Sequence, residues 1–314
     1  MRQALSLARC DNRSVVARDH PVLGGPVNWA PPGASIENRF AWLSFDFFVD
    51  WGSTETPVSN HLWLKLPVNK HFINEIVGVE KEKIREFLLK ESDFVQLVRF
   101  GKPQGFAVSA IIFDDNGDFR SEFDAWIFTV YSAPKSVSCQ RLTLGELMGL
   151  IRKHSGGPVR VGRKGLIYGT SRLECLLSKT DAAWPGDVDA LLVDSASNFD
   201  AKAIFEFKKC TNRARVAFCD ERLENYYPYP DKRKYDRLAY LGERMSTGST
   251  LPINIVFYSN QAEERRLIFE IAELSGKPKK LRIIYRNIYD VDLNNCQEVR
   301  GVILNHLKET TVIT

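Results

Sequence analysis

Two apolar runs near the middle of the chain carry charged residues at spacings of two. The first reads Trp184-Pro185-Gly186-Asp187-Val188-Asp189-Ala190-Leu191-Leu192-Val193, the second Ala203-Ile204-Phe205-Glu206-Phe207-Lys208-Lys209. In a β-strand, residues i and i+2 point to one face. Asp187 and Asp189 therefore share a face of the first strand, and Glu206 and Lys208 share a face of the second. Val188, Ala190, Phe205 and Phe207 point the other way, into apolar packing. A carboxylate buried without compensation is strongly disfavoured. A hard divalent cation, Mg²⁺ with Mn²⁺ as a substitute, would supply that compensation, because carboxylate oxygens and water are its preferred ligands. Lys208 would then stand beside the ion, where its ammonium can hold an attacking water or stabilise charge on a phosphate.

Asp189, a gap of sixteen residues, and then Glu206-x-Lys208 resembles the signature of the PD-(D/E)XK nucleases, the restriction-endonuclease-like superfamily. Glu174, on a predicted helix ahead of the first strand, resembles the additional acidic residue that many members carry. The resemblance covers roughly residues 143–260. It implies a metal-dependent phosphodiesterase in which Asp189 and Glu206 ligate Mg²⁺, Glu174 assists directly or through water, and Lys208 positions the nucleophile. The pattern departs from the family at Pro185, which is followed by Gly186 and not by Asp. Asp187 and Asp189 therefore compete for the metal role. Asp189 is preferred because Ala190-Leu191-Leu192-Val193 continues a strand directly from it.

Each residue also has a plain structural reading. Asp187 follows Pro-Gly and suits a turn. Glu206 and Lys208 suit an ion pair on one face of an edge strand. Glu174 suits an exposed helix position. The joint pattern is harder to explain structurally than any one member.

Composition bounds the class. The chain has 314 residues, 44% hydrophobic and 26% charged, the make-up of an ordinary globular protein long enough for two domains. No apolar run reaches the roughly twenty residues of a membrane helix, and the N-terminus lacks the apolar core of a secretory signal. A cytoplasmic protein with no membrane partner is expected. The six cysteines form no Cys-x-x-Cys pair and do not cluster with the five histidines, so a structural zinc site is not expected. Net charge is +4 but uneven. Residues 1–150 carry 16 Lys+Arg and 18 Asp+Glu, and residues 151–314 carry 27 and 21. The basic excess lies in the half with the acidic motif, which suits a polyanionic substrate.

Along the chain, residues 1–36 read as an irregular arm punctuated by proline and glycine. Residues 37–135 read as an α+β domain, for recognition or regulation. Its expected strands are at 40–49, 61–66, 94–100, 106–113 and 123–131, with a helix at 81–90. A polar connection at 136–142 leads to the nuclease-like domain, 136–314. Thr143 and Glu146 form a capping box, and a strand is expected within 159–168. Thr170 then caps the helix carrying Glu174. Asp231 caps a helix over 232–246 whose apolar face is Tyr235, Leu238, Ala239 and Met245. A strand at 252–258 follows, and strand–helix–strand implies parallel pairing.

Nucleic-acid contacts are expected from Arg163 and Lys164 in a basic glycine loop. They are also expected from Tyr229, Lys232, Arg233 and Arg237 around the tyrosine-proline loop and the following helix. Both stretches also suit structural turns. The expected fold is α/β, a restriction-endonuclease-like core of mixed sheet flanked by helices, after the α+β domain. The expected function is Mg²⁺-dependent endonucleolytic cleavage of nucleic acid, DNA in preference to RNA, in restriction, repair or defence against invading DNA. Cutting both strands would suit a homodimer, and residues 37–135 offer a surface for a protein partner. The alternative is a nucleic-acid-binding or regulatory protein with a nuclease-like core that does not cut.

Overall fold

The computed structural model describes residues 3, 5–17, 25–36, 39–53, 57–76, 81–116, 124–130, 137–162, 165–210, 217–229, 231–246, 251–259, 261, 263–275 and 280–310. The elements in chain order begin with β1 (Ala8–Arg9), α1 (Pro26–Trp29), β2 (Ser35–Ile36), β3 (Phe40–Val49), β4 (Val58–Val68), α2 (Lys70–Ile76), α3 (Lys81–Lys90) and α4 (Ser92–Gly101). They continue with β5 (Ala107–Asp114), β6 (Asp124–Val130), β7 (Val137–Thr143), α5 (Leu144–His154), β8 (Tyr168–Gly169) and α6 (Arg172–Leu177). The last are β9 (Gly186–Asp194), β10 (Asp200–Cys210), α7 (Lys232–Met245), β11 (Ile253–Ser259), β12 (Arg266–Ser275), β13 (Lys280–Asp290) and α8 (Cys296–Thr310). The fold is mixed α/β. Among the described residues, no helix is long and apolar enough to cross a membrane.

Two compact units divide the chain. The first holds residues 1–17 and 45–187, the second residues 18–44 and 188–314. The break expected at 136–142 falls inside the first unit, where 137–143 is strand β7 paired with β6. This edge strand buries Leu142 but presents Ser138, Gln140 and Arg141 to solvent, so it carries too little apolar alternation to read as a strand. The expected arm is shared between the units and carries short elements of its own.

In the first unit the strand order is β3-β4-β5-β6-β7. β4 and β5 pair in parallel, joined by α2, α3 and α4. The expected strand at 94–100 is part of α4. Phe94, Leu97 and Phe100 are buried at intervals of three, a helical stripe that the aromatic and β-branched content obscured. Helices α5 and α6 pack Leu147, Ile151, Leu173 and Leu177 against Phe48, Trp63 and Phe113. Thr143 and Glu146 cap α5 in a reciprocal box, as their spacing predicts. Residues 159–168 supply only an isolated bridge, Val159 with Ala182, and the start of the short β8. β1 pairs with β8. Cys10 and Cys175 form a disulfide, a pairing that even parity of cysteines gives no means of foreseeing. The Arg13 guanidinium donates to the carbonyls of Ser6, Ala8, Gly169 and Thr170, fixing the turn into α6.

In the second unit the order is β13-β12-β11-β10-β9. β10 and β11 are parallel, as strand–helix–strand predicts, and the other pairs in this run are antiparallel. One face packs Ala203, Phe205, Val256 and Phe269 against Val299, Ile303 and Leu304 of α8, with Trp29 and Trp42 in the same cluster. α7 buries Tyr235, Leu238, Ala239 and Met245, the stripe expected from the sequence, together with Leu241 and Gly242. Period-two alternation on β10 thus separates the two faces, with Phe205 in the α8-side core and Glu206 and Lys208 opposite.

Phe205 is fully buried and meets Trp42 edge-on at 5.2 Å. Truncating it removes an aromatic from the centre of that core, so Phe205→Ala is expected to lose about 3–5 kcal/mol of unfolding free energy. Urea denaturation checks this, with the exposed Lys202→Ala on the same strand expected to stay within about 0.5 kcal/mol of wild type.

Candidate functional site

The motif residues of the second unit sit where β9 and β10 part. Their ladder runs from Asp200 opposite Asp194 to Phe205 opposite Ala190. The next positions along the two strands are Glu206 and Asp189. Past that point the Phe207 amide donates to Asp189 Oδ2 at 2.8 Å. A carboxylate thus takes an N–H that the partner strand no longer accepts, as a buried backbone donor requires. Glu206 is 1% exposed, and its Oε1 meets the Lys234 ammonium of α7.

Lys208, two residues on and on the same face, donates to Asp231 Oδ2 at 2.6 Å. Its ammonium also stands 3.9 Å from the centre of the Tyr226 ring, a cation–π contact. Asp231 occupies the N-cap position of α7 without a side-chain cap bond, so the residue read as a cap serves Lys208.

A second layer holds this arrangement. The Tyr226 hydroxyl donates to buried Glu221 at 2.8 Å. Burial, then the hydrogen bond to Glu221, push the Tyr226 phenol pKa up. Burial, then the Glu221 charge, push the Cys210 thiol up as well, so Cys210 stays protonated and is no nucleophile. Glu270 on β12 is fully buried, accepts the Leu223 amide at 2.7 Å and pairs with Arg286 of β13. Arg286 also donates to the carbonyls of Glu221 and Cys219. The loop carrying Tyr226 and Tyr229 is thereby pinned to the sheet.

Tyr229 is 84% exposed, and Lys232 and Arg233 are exposed beside it. Lys232 pairs with Asp236 one turn along. Arg237 is half-buried on the same helix. Arg163 and Lys164 lie outside the described residues.

Glu174 and Asp187 belong to the first unit, in a group around Lys65. Glu174 is at the third position of α6, where Ser171 is the cap, one residue after the expected Thr170. Its Oε2 accepts from the Thr170 amide and hydroxyl, both at 2.7 Å, and lies 4.0 Å from Lys65 Nζ. Lys65 is 7% exposed, 3.2 Å from Asp46 Oδ1 and 3.2 Å from the Thr170 hydroxyl, with its ammonium over the Trp184 ring. The exposed Asp187 adds its charge to the group. Three carboxylates thus share one ammonium, and Lys65 stays charged. Asp46, the most buried of them, bears the imbalance. Burial raises its pKa to about 7, with Asp187 and Glu174 adding to the shift and Lys65 opposing it.

No group of three or more His, Cys, Asp or Glu side chains close enough to hold a metal is found among the described residues. What the second unit offers is a pair of carboxylates, Asp189 and Glu206, on neighbouring strands. That donor chemistry fits a hard divalent ion that completes its shell with water. No family model, curated protein or solved structure matches the chain.

Several of these residues escape a reading of the sequence. Lys234 carries no local signal, and Tyr226 is marked only as a member of the tyrosine-proline stretch 226–230. Glu270 carries one, since it is an acid inside the apolar run Leu267–Ala272, the same anomaly that marks Glu206.

The Asp46 shift gives a pH prediction. Folded Asp46 titrates near 7 and an unfolded aspartate near 3.8, so between these values the folded state holds the extra proton and loses stability as pH rises. Asp46→Asn cannot titrate. Its unfolding free energy relative to wild type is therefore expected to climb from about pH 4 to pH 7 and to level off above. Urea denaturation across that range checks this, and a difference independent of pH would contradict it.

Proposed function

We propose that the second unit is a metal-dependent nuclease domain with a restriction-endonuclease-like core, hydrolysing phosphodiester bonds of nucleic acid and of DNA in preference to RNA. The observation that carries this reading is the pair of carboxylates at the parting of β9 and β10, one of them 1% exposed, with Lys208 on the same strand face. The order β9, β10, α7, β11 with β10 and β11 parallel supports it. Asp189 and Glu206 would hold Mg²⁺, or Mn²⁺ in its place. The ion, when bound, supplies Lewis-acid stabilisation of charge on the phosphoryl oxygens.

The chain's own residues supply positioning. Lys208 offers an ammonium to an attacking water or to a phosphate oxygen, and Asp231 with Tyr226 fixes where that ammonium stands. Tyr229 offers an exposed ring for stacking on a base, and Lys232 and Arg233 offer charge to the backbone. Cutting both strands of a duplex would take two such sites, which a homodimer supplies.

One observation favours a second reading, a nucleic-acid-binding protein that does not cut. Each motif side chain already has a partner within the chain: Asp189 the Phe207 amide, Glu206 Lys234, and Lys208 Asp231.

Incubation of plasmid and of short DNA and RNA with the full chain in Mg²⁺, Mn²⁺ or EDTA separates the readings. Cutting is expected with the divalent ions and not with EDTA. Lys208→Ala and Glu206→Gln are each expected to lower its rate by roughly 10²–10⁴-fold, the usual loss for a group that acts on the reacting atoms. Cutting that survives Lys208→Ala would contradict the assignment. Salt-sensitive binding without cutting would favour the second reading.

A further inference from the structure

Two lysines and two acids cross-link α7 to β10. Lys208 of the strand pairs with Asp231 at the start of the helix, and Lys234 of the helix pairs with Glu206 of the strand. The cation that meets the buried carboxylate therefore comes from the helix and not from the Glu-x-Lys motif. The neighbouring Tyr235 is fully buried with its hydroxyl unpaired, so it gives Glu206 no hydrogen bond. Lys234 brings a positive charge directly onto Glu206.

The two lysines differ in their freedom. The Lys208 side chain is 23% exposed and packs on Tyr226. The Lys234 side chain is 40% exposed, and a lysine ammonium on its flexible four-carbon stem moves without disturbing the helix.

We propose that Lys234 is an exchangeable internal cation: it neutralises Glu206 in the metal-free protein and yields that carboxylate when a divalent ion binds, its ammonium turning to the substrate phosphate. This rests on the assignment of Asp189 and Glu206 as metal ligands. Lys234 and the ion compete for one carboxylate, so removing the lysine strengthens metal binding while weakening cleavage. A lysine with only a structural role has no reason to do the first.

The test is titration of the full chain with Mn²⁺ alone, followed by the electron paramagnetic resonance signal of the free ion. Wild type, Lys234→Ala, Lys234→Arg and Glu206→Gln are compared. Lys234→Ala is expected to bind Mn²⁺ about tenfold or more tightly than wild type, the scale of losing one competing charge-assisted contact. Mn²⁺ is also expected to raise its melting temperature by more than it raises that of wild type. Lys234→Arg is expected to stay near wild type, and Glu206→Gln to lose the site. If Lys234→Ala does not fold, Lys234→Gln is titrated in its place under the same expectation. Equal or weaker Mn²⁺ binding after loss of Lys234, in a chain whose wild type cuts with Mg²⁺, overturns the exchange and leaves the nuclease reading standing. No Mn²⁺ binding by any of the four proteins overturns both.

Discussion

Glu206 lies on an interior strand of the second unit's sheet with 1% of its surface exposed, and a carboxyl group held there has to be met by positive charge or take up a proton. Much of what surrounds it follows from that constraint. β9 and β10 stop pairing beside it, and Asp189 takes the amide that the parting releases. The start of α7 is drawn to the strand by the crossed lysine–acid pairs. Farther along the same face, Glu270 and Arg286 fix the loop that carries Tyr226 beneath Lys208. The opposite face bears none of this and packs as an apolar core with Phe205 and Phe269 against α8.

The first unit meets the same electrostatic problem with a fixed solution. Lys65 is itself buried and is shared by Asp46, Glu174 and Asp187. Its ammonium has hydroxyl and aromatic contacts on Thr170 and Trp184, and the imbalance of charge is taken up by proton binding at Asp46. The second unit instead compensates Glu206 with a lysine that reaches solvent. On the proposed reading that difference matters, because a lysine that reaches solvent can yield its carboxylate to another cation more readily than a buried one.

Period-two alternation made β9 and β10 legible, together with the sharing of a face by Glu206 and Lys208. The helical stripe of α7 and the parallel return through β11 were legible for the same reason: strong periodicity reports burial directly. The strand expected at 94–100 failed because Phe94, Leu97 and Phe100 satisfy a helical stripe that strand-like composition masked. β7 was missed because an edge strand with one buried leucine carries almost no pattern. The site was legible only where acids interrupt apolar runs. Lys234 and Asp231 look like ordinary polar residues at the start of a helix, and only the docking of that helix on β10 turns them inward. Glu174, singled out for its place on a helix before the motif, accepts hydrogen bonds from Thr170 and lies near Lys65, contacts that its spacing in the sequence does not announce.

Metal-dependent cleavage in the second unit requires Asp189 and Glu206 to ligate one divalent ion. Crystals of the full chain soaked in Mn²⁺, with diffraction recorded near the manganese absorption edge, test that most directly. An anomalous difference peak is expected whose protein neighbours are the carboxylates of Asp189 and Glu206. A map with no peak there, or with peaks only elsewhere, such as beside Asp46 and Glu174, would contradict that ligation.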